Sequence, residues 1–176
     1  KKKFVYDDDL SVLVEDSMSV GTETYVLDYI HVTSGSTTVP TATVRLKKGA
    51  DTLQDSSPGN GAVDAAMQVI DRIVKRRGHL AQYSVEAVTQ GRDSLGEVTL
   101  KVDFGNGELI TGKGASTDVI EASARAYINA VNRAELLHGR KQAAALARSG
   151  GAGEQTRPRP AAAGASRRPG FSGGTQ

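Results

Sequence analysis

Two glycine pairs, each followed by an aspartate, have the residue types and spacing best suited to chemistry in this 176-residue chain. They are Gly59-Asn60-Gly61 before Asp64, and Gly112-Lys113-Gly114 before Asp118. Where such a pair opens a helix, exposed backbone N–H groups and the positive end of the helix dipole attract a carboxylate, and the aspartate attracts an ammonium group. The pattern predicts a site for a zwitterion such as a free amino acid. Glycines in tight turns and aspartates that complement a helix dipole are the alternative interpretation.

Residue patterns typical of catalysis are missing from the sequence. Without cysteine the chain has no thiol nucleophile, disulfide or cysteine-ligated metal. The histidines, His31, His79 and His138, are not spaced as metal ligands are in H-x-H or H-E-x-x-H. There is no Walker A loop or G-x-S-x-G elbow, and the glycine pairs lack the third glycine of a dinucleotide fingerprint. The sequence indicates a binding module with no catalytic residue, metal or cofactor of its own.

Charge is distributed unevenly along the chain. Residues 140–176 hold seven of the 22 basic residues and one of the 20 acidic ones, so residues 1–139 are net acidic. The body of the chain therefore gives no electrostatic reason to expect nucleic acid as a partner. From Gly150 onward almost nothing can be buried, which predicts a disordered basic tail. No apolar run approaches the ~18 residues of a membrane span, and the absence of cysteine fits a cytoplasmic protein.

The first half of the chain shows the patterns of three strands and a helix. Residues 22–33 and 41–49 are rich in β-branched residues, and the second of these runs alternates apolar and polar side chains. A short third strand is expected near Leu53, before a glycine-rich loop. Apolar residues at three- and four-residue steps predict a helix from Ala62 to Arg77, which Gly78 ends.

The same order repeats in the second half. Strands are predicted at 80–89, 96–104 and 108–111, and Gly105-Asn106-Gly107 is typical of a hairpin turn with positive φ. A helix is predicted from about Ser116 to Leu137 and favoured for some residues beyond.

Landmarks in the two halves correspond at an offset of 53–56 residues. Gly35 corresponds to Gly91, the first glycine pair to the second, and Asp64 to Asp118. Such a period indicates a duplicated structural unit. We therefore predict an α+β fold of two repeated βββα units that pack helices on antiparallel β-sheet around one core. The second glycine pair is expected in a loop, with Gly114 at positive φ.

Long stretches around these glycines resemble a known family. Residues 59–73, 80–98 and 112–133 closely resemble the C-terminal regulatory (allosteric, dimerisation) domain of 2-isopropylmalate synthase, an acyltransferase of leucine biosynthesis. Residues 25–46 resemble the first two strands of that domain, and the resemblance covers about residues 1–136. Citramalate synthase shares the superfamily, but the third stretch is more similar to isopropylmalate synthase. The tail matches nothing in the family.

The resemblance implies a domain division. Residues 1–20 would end a linker or helical subdomain, and residues 21–137 would form the regulatory domain, with units at 21–78 and 79–137. Residues 138–176 would form a helical extension and the basic tail.

The resemblance also implies partners. These are L-leucine as the effector at a dimer interface, a second copy of the chain, and a catalytic TIM-barrel domain of the same protein that holds a divalent metal. That domain would condense acetyl-CoA with 2-oxoisovalerate, and bound leucine would inhibit it. A membrane or nucleic-acid partner is not expected.

Matching the motifs of this chain to those of the family assigns the residues of the effector site. The amides near Gly61 would face the carboxylate, and Asp64 or Asp118 the ammonium group. Leu80, Tyr83 and Ala87 would receive the isobutyl group, although ordinary packing is an alternative for these three residues. The implied effector-binding residues are Asn60, Gly61, Val63, Asp64, Leu80, Tyr83, Ala87, Ser94, Gly114, Ala115, Ser116, Thr117 and Asp118.

Two alternatives remain open from the sequence. One is an isoleucine-sensing regulatory domain of citramalate synthase, because leucine and isoleucine differ only in where one methyl group branches. A difference of that size is worth only about 1–3 kcal/mol. The other is a purely structural dimerisation module that binds no effector.

Overall fold

The computed structural model describes residues 23–88 and 94–150, with side chains described as far as residue 146. The predictions for residues 1–20, for Gly91 and for the tail after Gly150 lie outside this range.

Six strands and two helices form two copies of a strand–strand–strand–helix unit, which confirms the predicted fold class. Each unit has one antiparallel three-stranded sheet with its strands in sequence order. The elements of the first unit are β1 (Val26–Gly35), β2 (Thr38–Lys48), β3 (Asp51–Pro58) and α1 (Ala62–Val74). Those of the second are β4 (His79–Ala87), β5 (Gly96–Asp103), β6 (Leu109–Ser116) and α2 (Val119–Gly150).

One buried core joins both units. Successive side chains of a strand point to opposite faces of a sheet, so the central strands bury every second residue. Burying a large aliphatic side chain contributes about 1.5–3 kcal/mol. The fully buried strand residues are Ala42, Val44 and Leu46 in β2 and Val98, Leu100 and Val102 in β5. The helices add side chains that include Val69, Ile70, Tyr127 and Val131.

The second glycine pair lies inside β6, so its prediction as a loop at the start of α2 is wrong. Neither Gly112 nor Gly114 has positive φ. A Cβ on Gly114 would overlap the carbonyl oxygen of Ala122 and lie 2.5 Å from the backbone nitrogen of Ala126. A Cβ on Gly112 would likewise overlap the backbone of α2. These glycines let α2 pack directly on the backbone of β6.

The turn at Gly105 and Gly107 is confirmed, with φ angles of +90° and +75°. The Asp103 carboxylate stabilises it by accepting hydrogen bonds from the backbone N–H groups of Gly105, Asn106 and Gly107 at 2.8–3.1 Å.

At the helices, the offset between corresponding residues of the two units differs from the predicted one. The first hydrogen bond of α1 runs to the carbonyl of Gly61, and that of α2 to the carbonyl of Asp118, both at 2.9 Å. Gly61 therefore corresponds to Asp118, an offset of 57, and Asp64 corresponds to Glu121. The first strands correspond at an offset of 53, because the shift in pairing register after Leu27 in β1 recurs after Leu80 in β4.

The third strand is longer than predicted. The sequence indicated a loop from Asp55 to Gly61, but β3 runs from Asp51 to Pro58 and pairs with β2 over its whole length. Its side chains are mostly polar, and only Ser57 is buried. A strand that buries so little lacks the apolar alternation from which strands are predicted.

Helix α1 ends earlier than predicted, and Gly78 is not its terminator. Lys75 takes a left-handed conformation with φ of 56°, and the N–H of Arg76 donates to the carbonyl of Asp71 at 3.1 Å. Gly78 is needed for another reason, because a Cβ there would overlap the hydroxyl of Tyr127.

Side chains of both helices bind the backbone just before the first strand of the other unit. In α2, the side chain of Asn132 accepts from the N–H of Tyr25 at 2.9 Å and donates to its carbonyl at 2.8 Å. In α1, the Asp71 carboxylate accepts from the N–H of Gly78 at 3.3 Å, just before β4. These contacts fix the start of β1 against α2 and fix the turn between α1 and β4 against Asp71.

The described residues as far as Lys141 belong to one compact unit, and the rest of α2 belongs to a second. Neither helix in the described ranges combines the length and apolarity that a membrane crossing requires.

Candidate functional site

A cavity of about 670 Å³ lies between α1 and the beginning of β4. Five of the thirteen residues assigned to the effector site from the sequence line it together: Asn60, Val63, Asp64, Leu80 and Tyr83. These residues come from different units of the duplicated fold, and they meet because β4 packs beside the helix of the first unit.

The other assigned residues lie elsewhere in the chain. Gly61 immediately precedes α1, Ala87 is exposed at the end of β4, and Ser94 is half-buried before β5. Gly114 and Ala115 line a second cavity at β6. Ser116, Thr117 and Asp118 stand at the junction of β6 and α2. None of these eight residues lines the cavity at α1.

The start of α1 leaves backbone donors available for an anion. Its N-cap residue, Gly61, is extended at φ −167° and has no side chain with which to cap the helix. The Asp64 carboxylate is half-buried and fixed in place, accepting from the N–H of Asn60 at 2.7 Å and from Nε2 of Gln68 at 2.8 Å. A ligand carboxylate at the first N–H groups of α1 would be within the field of the helix dipole.

The start of α2 is already capped by its own aspartate. The sequence placed Asp118 in the first turn, but it is the N-cap residue. Its Oδ1 accepts from the N–H of Ile120 at 2.7 Å and from that of Glu121 at 3.4 Å. Because these donors are satisfied within the chain, the two helix starts are chemically different despite the duplication.

The apolar wall of the cavity is an uncovered strip of β4. Leu80 pairs with Val102 and Tyr83 with Leu100, and cross-strand partners share a face of the sheet. The β5 partners are fully buried, whereas Leu80 and Tyr83 remain 37% and 38% exposed. The strip therefore offers aliphatic and aromatic surface to a small apolar group.

The hydroxyl of Tyr83 is held by α2. It lies 2.7 Å from Oγ of Ser123, which itself donates to the carbonyl of Val119 at 2.6 Å. Because a serine hydroxyl has one hydrogen, Tyr83 is the donor to Ser123. The ring is thus fixed at the cavity wall.

Seven lining residues were missed in the sequence assignment. They are Met67, Gln68, Asp71, Arg77, Gly78, His79 and Tyr127. Asp71 had a detectable signal, because it follows Asp64 by seven residues and two helical turns return it to the same face. Tyr127 had no such signal in the sequence, because it belongs to α2 and reaches the cavity only through the folding of the chain.

Asp71 is a carboxylate in a poorly solvated position. The buried Tyr127 donates its hydroxyl to Oδ1 at 2.5 Å. Desolvation raises the pKa of Asp71, and the hydrogen bonds from Tyr127 and Gly78 oppose that shift. Desolvation, reinforced by the neighbouring carboxylate, raises the pKa of Tyr127 so that it stays protonated at neutral pH.

The raised pKa of Asp71 predicts a pH dependence of stability. A folded-state pKa above 3.8 means that the folded chain binds the Asp71 proton more tightly than the unfolded chain. Relative to an Asp71→Asn variant, the wild-type free energy of unfolding should be greatest below pH 3.8 and fall as the pH rises through the folded pKa. Urea denaturation of both proteins between about pH 3 and pH 7 measures this difference. A difference that grows with pH would contradict the desolvation of Asp71.

The charges and surface of the cavity suit a small zwitterion with an apolar side chain. Asp64 and Asp71 supply negative charge, Arg77 supplies positive charge, and Val63 and Leu80 supply aliphatic surface. Within residues 23–88 and 94–146, no group of three or more histidine, aspartate or glutamate side chains is arranged to hold a metal ion.

The chain is similar to one domain family and to several longer proteins. The family described as the LeuA allosteric (dimerisation) domain matches residues 4–135. A 2-isopropylmalate synthase from Methylacidiphilum infernorum is 56% identical over 136 residues, which are 77% of this chain and 27% of the relative. The 2-isopropylmalate synthase of Carboxydothermus hydrogenoformans is 48% identical over 133 residues, 76% of this chain and 26% of the relative. That of Pyrococcus furiosus is 40% identical over 134 residues, again 76% and 26%.

The chain thus spans about a quarter of the length of these relatives. The family match covers three quarters of the chain and includes the first βββα unit and the second as far as residue 135 of α2. The chain therefore belongs to the LeuA allosteric (dimerisation) domain family.

Proposed function

We propose that this chain is the leucine-sensing regulatory and dimerisation domain of a 2-isopropylmalate synthase. The observation that carries the proposal is the cavity where Asn60, Val63 and Asp64 meet Leu80 and Tyr83. The name shared by the relatives supports the assignment to 2-isopropylmalate synthase. The family description supports the roles in dimerisation and allosteric regulation. The catalytic domain, with its divalent metal and its substrates acetyl-CoA and 2-oxoisovalerate, belongs to a part of the protein outside this chain.

In this proposal leucine binds with each of its groups against a matching surface. The carboxylate accepts from backbone N–H groups at the start of α1, which have no N-cap side chain. The ammonium group faces Asp64, and the isobutyl group covers Leu80 and the ring of Tyr83, burying their exposed apolar surface.

Leucine regulates by favouring one arrangement of a homodimer over another. An effector shifts such an equilibrium only by its difference in affinity for the two arrangements, typically worth 1–3 kcal/mol. The cavity is suited to this role because it joins α1 of the first unit to β4 of the second. Closing around a ligand therefore acts on the contact between the units.

Calorimetric titration of the chain with leucine, isoleucine and valine tests the proposal. We expect saturable binding with leucine the tightest of the three ligands. Tighter binding of isoleucine would identify the citramalate synthase type of sensor. Light scattering should show a dimer, and a dimer that binds none of the three amino acids would leave a purely structural module.

Asp64→Asn should weaken leucine binding by about tenfold or more, because an amide replaces the charged partner of the ammonium group. The fold should remain, since an asparagine oxygen can still accept from the N–H of Asn60. Asp118→Asn is the matched control. It occupies the capped start of α2, and leucine affinity should stay within about twofold of the wild type. Equal losses in both variants would contradict the assignment of the ammonium group to Asp64.

A further inference from the structure

The hydroxyl of Tyr83 is anchored by a residue that does not itself line the cavity. Ser123 is fully buried on α2, and its Oγ accepts from Tyr83 at 2.7 Å while it donates to the carbonyl of Val119 at 2.6 Å. Burying a hydroxyl is costly unless it is hydrogen-bonded, and alanine would form the helix better. Helix formation therefore does not explain a serine at this position.

The first unit folds with apolar residues at the corresponding positions. Tyr83 corresponds to Ile30 at the strand offset of 53, and Ser123 corresponds to Ala66 at the helix offset of 57. Ala66 is buried as Ser123 is, and Ile30 packs against the core. The side chains of isoleucine and alanine cannot form hydrogen bonds. The βββα unit as such therefore does not require the hydrogen bond between Tyr83 and Ser123.

The ring of Tyr83 lines the cavity and is 38% exposed. A side chain on a strand has more than one common rotamer, and a hydroxyl near the surface can hydrogen-bond to water in each of them. The hydrogen bond to Ser123 selects the rotamer in which the ring forms the cavity wall. The anchored hydroxyl thus determines where the apolar face of the ring lies.

We propose that Ser123 is a positioning residue of the effector site, which orders the ring of Tyr83 before the effector binds and does not contact the effector. Ordering a side chain during binding opposes association, so a ring that is already ordered gives a higher affinity. The inference rests on the proposed function, because it concerns the surface that the isobutyl group of leucine covers.

Calorimetric titration of leucine into variants of the whole chain tests the proposal. Ser123→Ala should raise the dissociation constant about three- to tenfold, the range expected when one side chain must be ordered on binding. Tyr83→Phe should have the same effect, because it removes the same hydrogen bond from its other end. Ser57→Ala is the matched control, since Ser57 is a buried serine outside the cavity whose hydroxyl donates to the carbonyl of Pro58 at 3.0 Å. Its dissociation constant should stay within about twofold of the wild type.

The double variant distinguishes positioning from a purely structural role. If Ser123 acts through Tyr83, adding Ser123→Ala to Tyr83→Phe should weaken leucine binding by less than about a further twofold. Losses that multiply in the double variant would give Ser123 a role independent of Tyr83 and overturn the inference. Urea denaturation shows which variants fold. Should Ser123→Ala fail to fold, Tyr83→Phe decides alone, because wild-type affinity in that variant would overturn the inference.

The outcomes also separate this inference from the proposed function. Leucine binding by the wild type, with the same affinity in Ser123→Ala and Tyr83→Phe, would overturn the positioning role and leave the leucine sensor. No leucine binding by the wild type would overturn both proposals.

Discussion

Replacing Gly114 with alanine is expected to lower the free energy of unfolding by about 2–4 kcal/mol, a large part of the stability of a domain of this size. The new Cβ would overlap the carbonyl oxygen of Ala122 and stand 2.5 Å from the backbone nitrogen of Ala126. Both atoms belong to the backbone of a helix, so no side chain can rotate to make room. The helix and the sheet must separate, and the core between them loses contacts.

Urea denaturation followed by circular dichroism measures this effect, with Gly96→Ala as the matched control. Gly96 is also in a strand of the second sheet, but a Cβ there would have its nearest neighbours at 3.6 Å, an ordinary contact distance. Its free energy of unfolding should change by less than about 1 kcal/mol. If Gly114→Ala were as stable as Gly96→Ala, α2 would not pack on the backbone of β6.

Gly114 also shows what the sequence could and could not predict. Glycine is most often predicted in turns, because its conformational freedom is a local property of the chain. In β6 glycine is required because a side chain would collide with the backbone of α2. Contacts between that helix and the strand are visible only in three dimensions. The same local rule succeeded at Gly105 and Gly107, where positive φ is in fact required.

The core strands were predictable because burial on one face leaves a period of two in the sequence. In β2 and β5 the buried positions are the apolar ones of that alternation. Strand β3 carries mostly polar side chains, so the same rule detected only a short strand near Leu53. A strand is therefore easier to predict from the sequence when it buries more apolar surface.

The candidate site was predictable where local rules and a family resemblance coincide. The resemblance assigned Asn60, Val63 and Asp64 at the first helix start and Leu80 and Tyr83 on the next strand, and all five line the cavity. The position of Asp71 on the same face of α1 as Asp64 had a local signal, but its desolvated environment did not. Its environment is created by Tyr127, which is 56 residues away in the sequence and on the other helix. Contacts of that range leave no local pattern.

Asn132→Ala is expected to lower the free energy of unfolding by about 2–4 kcal/mol, because it removes two buried hydrogen bonds at once. The side chain accepts from the N–H of Tyr25 and donates to its carbonyl, and Asn132 is only 8% exposed. Loss of the amide leaves a buried backbone donor and a buried acceptor without partners. Asn132→Asp should cost at least as much at neutral pH, since its buried carboxylate is desolvated and faces the carbonyl oxygen of Tyr25, to which it cannot donate.

Asn129→Ala provides the control one turn earlier on the same helix. Asn129 is exposed and makes one hydrogen bond, to the carbonyl of Lys113, so its loss should cost less than about 1 kcal/mol. Denaturation midpoints of the three variants should therefore place Asn129→Ala above both Asn132→Asp and Asn132→Ala. Equal midpoints at positions 129 and 132 would mean that α2 does not hold β1.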